Sequence, residues 1–340
     1  MDIPVTPTLF KVYCGYNYRD KMPIKKRKVK GKIYFYFEKN IRIGENNWKT
    51  FSIYIGSKKP DAVQLKTLKK RLEKTINAYL KKEIQGSKTQ HIDIKTALKL
   101  EKIRTAHKKI LVALDKTSRE HYLKRQREQF ITNTNAIEGS QLTLEQTKKI
   151  LGLKKQYEAQ GREELEVINM EKCLELYDEL ILQKIDIDLK IILHLHMLLL
   201  KAIPDYEGYA GVWRPVNIYI RGSKYNFPVW KDVPGLIKEL LQWYEQNKDK
   251  LHPVELAAIF HARLVTIHPF ADGNGRMARL LMNYILQLHG FPFTDISFSK
   301  RNEYFSTQEE GHFGKYQSFV KFLVNEIKSQ FTELKKRKER

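Results

Sequence analysis

The chain has 340 residues, with 62 lysines and arginines against 39 aspartates and glutamates, a net charge of +23. Two cysteines far apart, Cys14 and Cys173, exclude a disulfide framework and fit a reducing, cytoplasmic setting. The longest apolar run, residues 191–200, is ten residues with two histidines, which is too short for a membrane span.

The charge is uneven. Residues 1–130 hold 33 basic and 12 acidic side chains, and residues 131–340 hold 29 and 27. A charge concentrated in one region points to a polyanionic partner or to a solvated basic face. The first ten residues lack a basic stretch followed by an apolar run, so no secretory leader is expected.

In chain order, residues 24–30 form a basic run, IKKRKVK. Residues 31–44 and 46–56 then alternate apolar and polar side chains around Glu45-Asn46-Asn47, which predicts a β-hairpin. Pro60 opens a helical stretch ended by Gln85-Gly86. From Ile92 onward the chain reads as mainly helical. Helices are expected over 93–114 and 118–139, then from a Thr143/Gln146 capping box through 152, and over 162–182, 187–202, 233–248, 253–267, 275–289 and 315–336. One break is residues 216–229, VNIYIRGSKYNFPV, predicted as a short hairpin turning at Gly222-Ser223. His194 and His196 are two apart, so they point to different faces and read as core or interface residues rather than metal ligands. The pattern gives three segments: a basic α+β module over 1–90, a helical segment over 91–150, and a helical core over 151–340.

The second break, His268 to Arg279, reads HPFADGNGRMAR. Gly273, Asn274 and Gly275 stand where a loop becomes a helix N-terminus. Free backbone N–H groups and the helix dipole make that turn an anion site. Glycine permits positive φ and close approach of a phosphate. Arg276 and Arg279, three apart, share a helix face and can hold two phosphates. Asp272 offers a hard oxygen to Mg²⁺. His268 is the side chain matched to accept a proton at neutral pH. Base, metal ligand and phosphate cradle together point to transfer of a phosphorus group to a hydroxyl. Neither a GxxxxGK[ST] loop nor a GxGxxG after a strand is present.

This stretch resembles the core motif of the Fic family, HxFx[D/E]GNGRxxR, at every defined position. The resemblance implies a mainly α Fic fold with a β-hairpin flap, here preceded by the basic module. It implies an enzyme that transfers AMP from ATP, with Mg²⁺, to a hydroxyl side chain of a protein target or of itself. His268 would be the base and Asp272 the metal ligand. Gly273, Asn274, Gly275 and Arg276 would cradle phosphates, and Arg279 the γ-phosphate. Residues 216–229 resemble the family's flap, so that Val216, Ile218, Tyr219 and Ile220 would pair with the target by strand addition. Thr134-Asn135-Ala136-Ile137-Glu138-Gly139 resembles the family's inhibitory motif, [S/T]xxxE[G/N]. Thr134, Glu138 and Gly139 would restrain activity by pairing Glu138 with Arg279; the plain reading is a helix end with Gly139 beyond it.

Residues 1–88 also resemble, in texture, short hairpin modules found ahead of some archaeal Fic proteins and some transposases. Three alternatives follow. One is a Fic-fold transferase of another phosphorus group, although the GNGR spelling departs from the GNKR of the phosphotransferase branch. Another is removal of AMP from a target. The third is a nucleic-acid-associated regulator built on residues 1–90. The sequence leaves the target and the oligomeric state open.

Overall fold

A computed structural model describes residues 24–42, 48–86, 91–153 and 157–338. The chain divides into two compact units, Tyr16–Ser87 and a larger one that contains Lys88–Arg340. Cys14 and the Glu45-Asn46-Asn47 turn lie outside the described residues.

In the smaller unit, β1 (Ile24–Val29), β2 (Lys32–Arg42) and β3 (Trp48–Gly56) form an antiparallel sheet in that order. The expected hairpin is β2–β3. The basic run, read as no element, is a third strand paired from Ile24↔Phe37 to Val29↔Lys32. Its lysines hid a strand because only Ile24 of β1 reaches the core, while the rest stays exposed. Helix α1 (Ala62–Gly86) supplies Leu72 and Ile76 to a core with Phe37 and Phe51.

The larger unit is helical. Its elements are α2 (Ile94–Ala113), α3 (Lys116–Ile137), α4 (Leu144–Leu153), α5 (Arg162–Gln183), α6 (Leu189–Leu199), α7 (Val233–Asn247), α8 (Pro253–Ile267), α9 (Asn274–Leu288), α10 (Arg301–His312) and α11 (Gln317–Lys338). Helix α4 opens on the expected capping box, with Thr143 N–H donating to Gln146 Oε1 (2.9 Å) and Gln146 N–H to Thr143 Oγ1 (3.3 Å). Helix α8 is apolar around most of its circumference, and α9 carries one polar stripe, Arg276, Arg279 and Asn283; both are buried almost throughout. They form the centre on which the other helices pack.

Two expectations change. Residues 301–312, read as a gap before the last helix, are α10. Its polar sequence gives little helical periodicity, and only Tyr304, Thr307 and Gly311 are buried. Residues 216–229 turn where expected, with Ser223 N–H donating to the Ile220 carbonyl (3.1 Å) and Gly222 at φ 89°. The segment contains no β-ladder. It is an extended loop rather than a paired hairpin.

Candidate active site

The site grows from the turn between α8 and α9. Helix α8 ends at His268, whose backbone is left-handed (φ 49°, ψ 62°), a conformation costly for a residue with a Cβ. Asn274 then closes the turn. Its side chain accepts from Phe270 N–H (2.9 Å) and donates to the Phe270 carbonyl (2.8 Å). The amide expected to cradle a phosphate is thus committed to holding the loop. Phe270 is fully buried and stacks on His196 with 3.5 Å between ring centroids. His196 accepts from Gly211 N–H at Nδ1 (3.0 Å) and lies 3.0 Å from the Asp272 carbonyl at Nε2. These partners define a neutral ring with its proton on Nε2. Burial pushes that ring down to about 4. His194, on the other face, is exposed.

His268 is half-buried, and its ring meets Phe227 edge-on at 5.4 Å. Burial lowers its pKa to about 4, with the Val265 carbonyl opposing and Arg214 adding to the shift. The imidazole is therefore neutral at pH 7, with a lone pair available to take a proton.

The two arginines of α9 are each 1% exposed, yet they have different partners. Arg279 donates from Nε to Thr134 Oγ1 (2.7 Å), and from Nη2 to the Thr134 carbonyl (2.9 Å) and Glu138 Oε1 (2.7 Å). Its Nη1 donates to Tyr304 Oη (3.1 Å), which lies 2.9 Å from His261 Nε2. Burial opposes the charge of Arg279, but Tyr304 and Glu138 outweigh it and hold the guanidinium charged. Arg276 faces Glu166 Oε1 (3.1 Å) and Asp272 Oδ2 (3.1 Å).

Glu138 caps the end of α3. Gly139, at φ 115°, donates to the Ala136 carbonyl (3.0 Å), so the helix-end reading of this segment and the ion pair with Arg279 are both present. Asn133 and Ile137 anchor that end: Asn133 bonds Asp295 (2.5 Å), and Arg301 donates to the Ile137 carbonyl (2.7 Å). The Glu138 carboxylate lies directly against Gly275, where a methyl group would overlap Oε1. An acidic group thus sits where the first turn of α9 would receive an anion.

Asp272 is held on both oxygens. Oδ1 accepts from Gly273 N–H (2.7 Å), and Oδ2 accepts from Arg162 (2.7 Å) and Arg276 (3.1 Å). Glu138, Ser140, Arg162, Glu166, Asp272 and Arg276 wall a cavity of about 310 Å³. Among the described residues no cluster of three or more histidine, cysteine or acidic side chains stands ready for a metal. One carboxylate beside an anion site still fits Mg²⁺, which binds through one or two carboxylates and completes its shell with phosphates and water.

The flap residues Val216 (58%), Tyr219 (90%) and Ile220 (40%) are exposed. Both ends of the loop are gripped by Arg214, itself 1% exposed. Its guanidinium donates to the carbonyls of Val216 (2.7 Å), Pro228 (2.5 Å) and His268 (2.8 Å). Sequence reading missed Arg214, Arg162, Glu166 and Tyr304. Arg214, just ahead of the flap, offered a weak signal; the other three join the site only through folding.

Residues 186–286 match the model of the Fic/DOC family. Two relatives named Protein adenylyltransferase Fic, from Drosophila yakuba and Drosophila melanogaster, are each 34% identical over 215 residues, covering 63% of this chain and 42% of theirs. The chain spans less than half the length of these curated relatives. A solved structure of Fic-1 (aa134 - 508) from C. elegans superposes with a TM-score of 0.64 at 25% identity, over 82% of this chain and 79% of that one. A Fic domain containing signaling protein from Bacteroides thetaiotaomicron superposes with a TM-score of 0.61 at 24% identity, over 70% of this chain and 95% of that one; that likeness is of fold alone.

Proposed function

We propose that this chain, whose residues 186–286 match the Fic/DOC family, transfers AMP from ATP to a hydroxyl side chain of a protein. The observation that carries this reading is the turn itself: a neutral histidine, a carboxylate and two buried arginines at one helix N-terminus. His268 takes the proton from the attacking hydroxyl. The oxygen–phosphorus bond to the α-phosphate forms as the bond to the β-phosphate oxygen breaks, and pyrophosphate leaves. Arg276 and Arg279 exchange carboxylates for phosphates when ATP enters. Asp272 would hold Mg²⁺, which would neutralise phosphate charge when bound. Glu138 restrains the reaction by occupying Arg279 and the helix end beside Gly275.

The exposed stretch over residues 216–220 suits strand addition by a target segment, since its backbone groups lie outside any ladder, while Ser223 and Lys224, bonded to Glu309, fix the turn beyond it. Removal of AMP, with Glu138 orienting a water, uses the same geometry and is the second reading. A cytoplasmic location belongs to this proposal; among the described residues no helix is long and apolar enough to cross a membrane. For residues 1–90 a nucleic-acid partner is the reading their charge supports.

The test is incubation with α-labelled ATP and Mg²⁺ in cell lysate, wild type beside Glu138→Gly. Labelled protein should rise in the variant by on the order of 100-fold, because displacing the α-phosphate by about 1 Å costs that much. No labelling in either protein, with both folded, would refute AMP transfer.

A further inference from the structure

The sheet of the smaller unit is not evenly built. Strand β3 pairs with β2 only from Phe35 to Arg42. The β1–β2 hairpin continues past it through Arg27↔Tyr34, Lys28↔Ile33 and Val29↔Lys32. At ~3.3 Å per residue this leaves a two-stranded ribbon about 10 Å long standing beyond the third strand. Lys30 and Gly31 close it with φ of 47° and 81°, the two positive angles of a tight, twist-matched hairpin turn.

The ribbon is basic on both faces and at its tip. Arg27, Lys28, Lys30 and Lys32 are exposed, and no carboxylate lies between residues 27 and 34. Across residues 24–42 there are eight basic side chains and one acidic, Glu38. That glutamate is 3% exposed, ion-paired to Lys25 and Arg27 and bonded by Ser52, so it presents little negative charge outward. Val29 and Ile33, 48% and 49% exposed, give the tip small apolar surfaces.

We propose that this ribbon is a duplex-DNA-binding arm that enters the major groove; the proposal rests on the nucleic-acid reading of residues 1–90 given above. The major groove, about 12 Å wide and about 8.5 Å deep, admits a two-stranded β-ribbon. Cations on both faces, Lys28 on one and Arg27 and Lys32 on the other, meet the phosphates of both groove walls, with Lys30 at the tip toward the floor. The tyrosines argue for duplex over single strand. A single strand needs open aromatic faces for its bases. On the ribbon itself Tyr34 and Tyr36 are half-buried, packed against Tyr54 at 6.0 and 5.4 Å, and Arg27 covers Tyr36 at 4.6 Å; Tyr54 on β3, 56% exposed, is one open ring where a single strand needs a succession of them.

The full chain should be titrated by fluorescence anisotropy against a labelled 24-base-pair duplex and single-stranded DNA and RNA of equal length, over a range of salt. The ribbon variant is Lys28→Gln, Lys30→Asn, Lys32→Gln; asparagine suits the left-handed position 30. The control removes the same charge from α1 with Lys69→Gln, Lys70→Gln, Lys74→Gln, all exposed. Circular dichroism and thermal melting establish that both fold. The wild type should prefer duplex, with affinity falling steeply in salt. The ribbon variant should lose about ten-fold or more in affinity and about three units of salt slope, and the control under about three-fold. Equal losses in both variants, or tighter binding to single strands, would overturn the arm while leaving nucleic-acid binding standing. No binding to any of the three at low salt would overturn both. None of these outcomes depends on AMP transfer.

Discussion

The turn at the start of α9 and the flap above it are built on opposite plans. At the turn every charged group has an opposite: Arg279 has Glu138, Arg276 has Glu166 and Asp272, and Asp272 also has Arg162. The arginines are 1% exposed, and their burial demands such partners. The flap is the reverse. Tyr219 is 90% exposed, the segment has no ladder, and it is pinned at a few points only, by Arg214 and Asn217 at its ends and by Glu309 at its turn. The first plan suits a site whose charges must be exchanged one for one with those of a substrate. The second suits a surface that gains its partner strand from outside. The Arg214 guanidinium joins the two, since it grips the flap and the His268 carbonyl together.

The sharpest way to break this contrast is at the base. His268→Ala should lower transfer by roughly 10²–10⁴-fold while leaving ATP affinity close to wild type, because the proposed base acts on the hydroxyl and not on the phosphates. Calorimetric titration with ATP beside a labelling assay checks this; near wild-type labelling would remove His268 from the chemistry.

Next is the ion pair that fills the turn. If Glu138→Gly raises labelling on the order of 100-fold, adding Arg279→Ala should erase most of the gain, since the freed γ-phosphate partner is gone. The two changes should be strongly non-additive, and additive effects in a double-mutant cycle would separate the carboxylate from the arginine.

Arg214 tests the link. Arg214→Ala should speed hydrogen exchange of amides 217–227 and lower self-labelling of the Glu138→Gly protein by about ten-fold. That is the loss a catalytic misplacement well under 1 Å would give. ATP affinity should stay within about three-fold, and Arg214→Lys should recover part of the loss, since an ammonium still donates to carbonyls. Unchanged flap exchange in the alanine variant would show that the Glu309 bonds to Ser223 and Lys224 hold the segment without Arg214.

Stability against pH tests the burial itself. Burial lowers His107, His196 and His268 to about 4, and His261 well below its ordinary value. Unfolded, each binds a proton near 6.5. Between about pH 6.5 and 4 the unfolded chain therefore holds more protons, and stability falls as pH falls, by about 1.4 kcal/mol per unit for each histidine. Asp295, raised to about 7 by burial, works in the opposite direction but as one group against several. Melting temperature should drop from pH 7 to pH 5, and a flat or rising profile would contradict the burial of these rings.

By itself the sequence determined whatever depends on neighbours along the chain. The Thr143 capping box, the helices α8 and α9, and the glycine turn between them follow from spacing a few residues long. Even the pairing of Glu138 with Arg279 was legible, but only because both residues sit in motifs with a family resemblance. Tertiary structure decided where charge and shape had to be balanced across distance. Glu166 and Arg162 join Arg276 and Asp272 because a buried guanidinium requires a carboxylate, and the fold sets which one is nearest. Tyr304 reaches Arg279 from α10, whose polar sequence hides a helix packed by only three buried residues. The basic run became a strand because β2 offered it an edge to pair with, and the flap stayed unpaired because no strand beside it completes a ladder. Ladder pairing and charge matching are properties of neighbours in space, which local residue pattern does not encode.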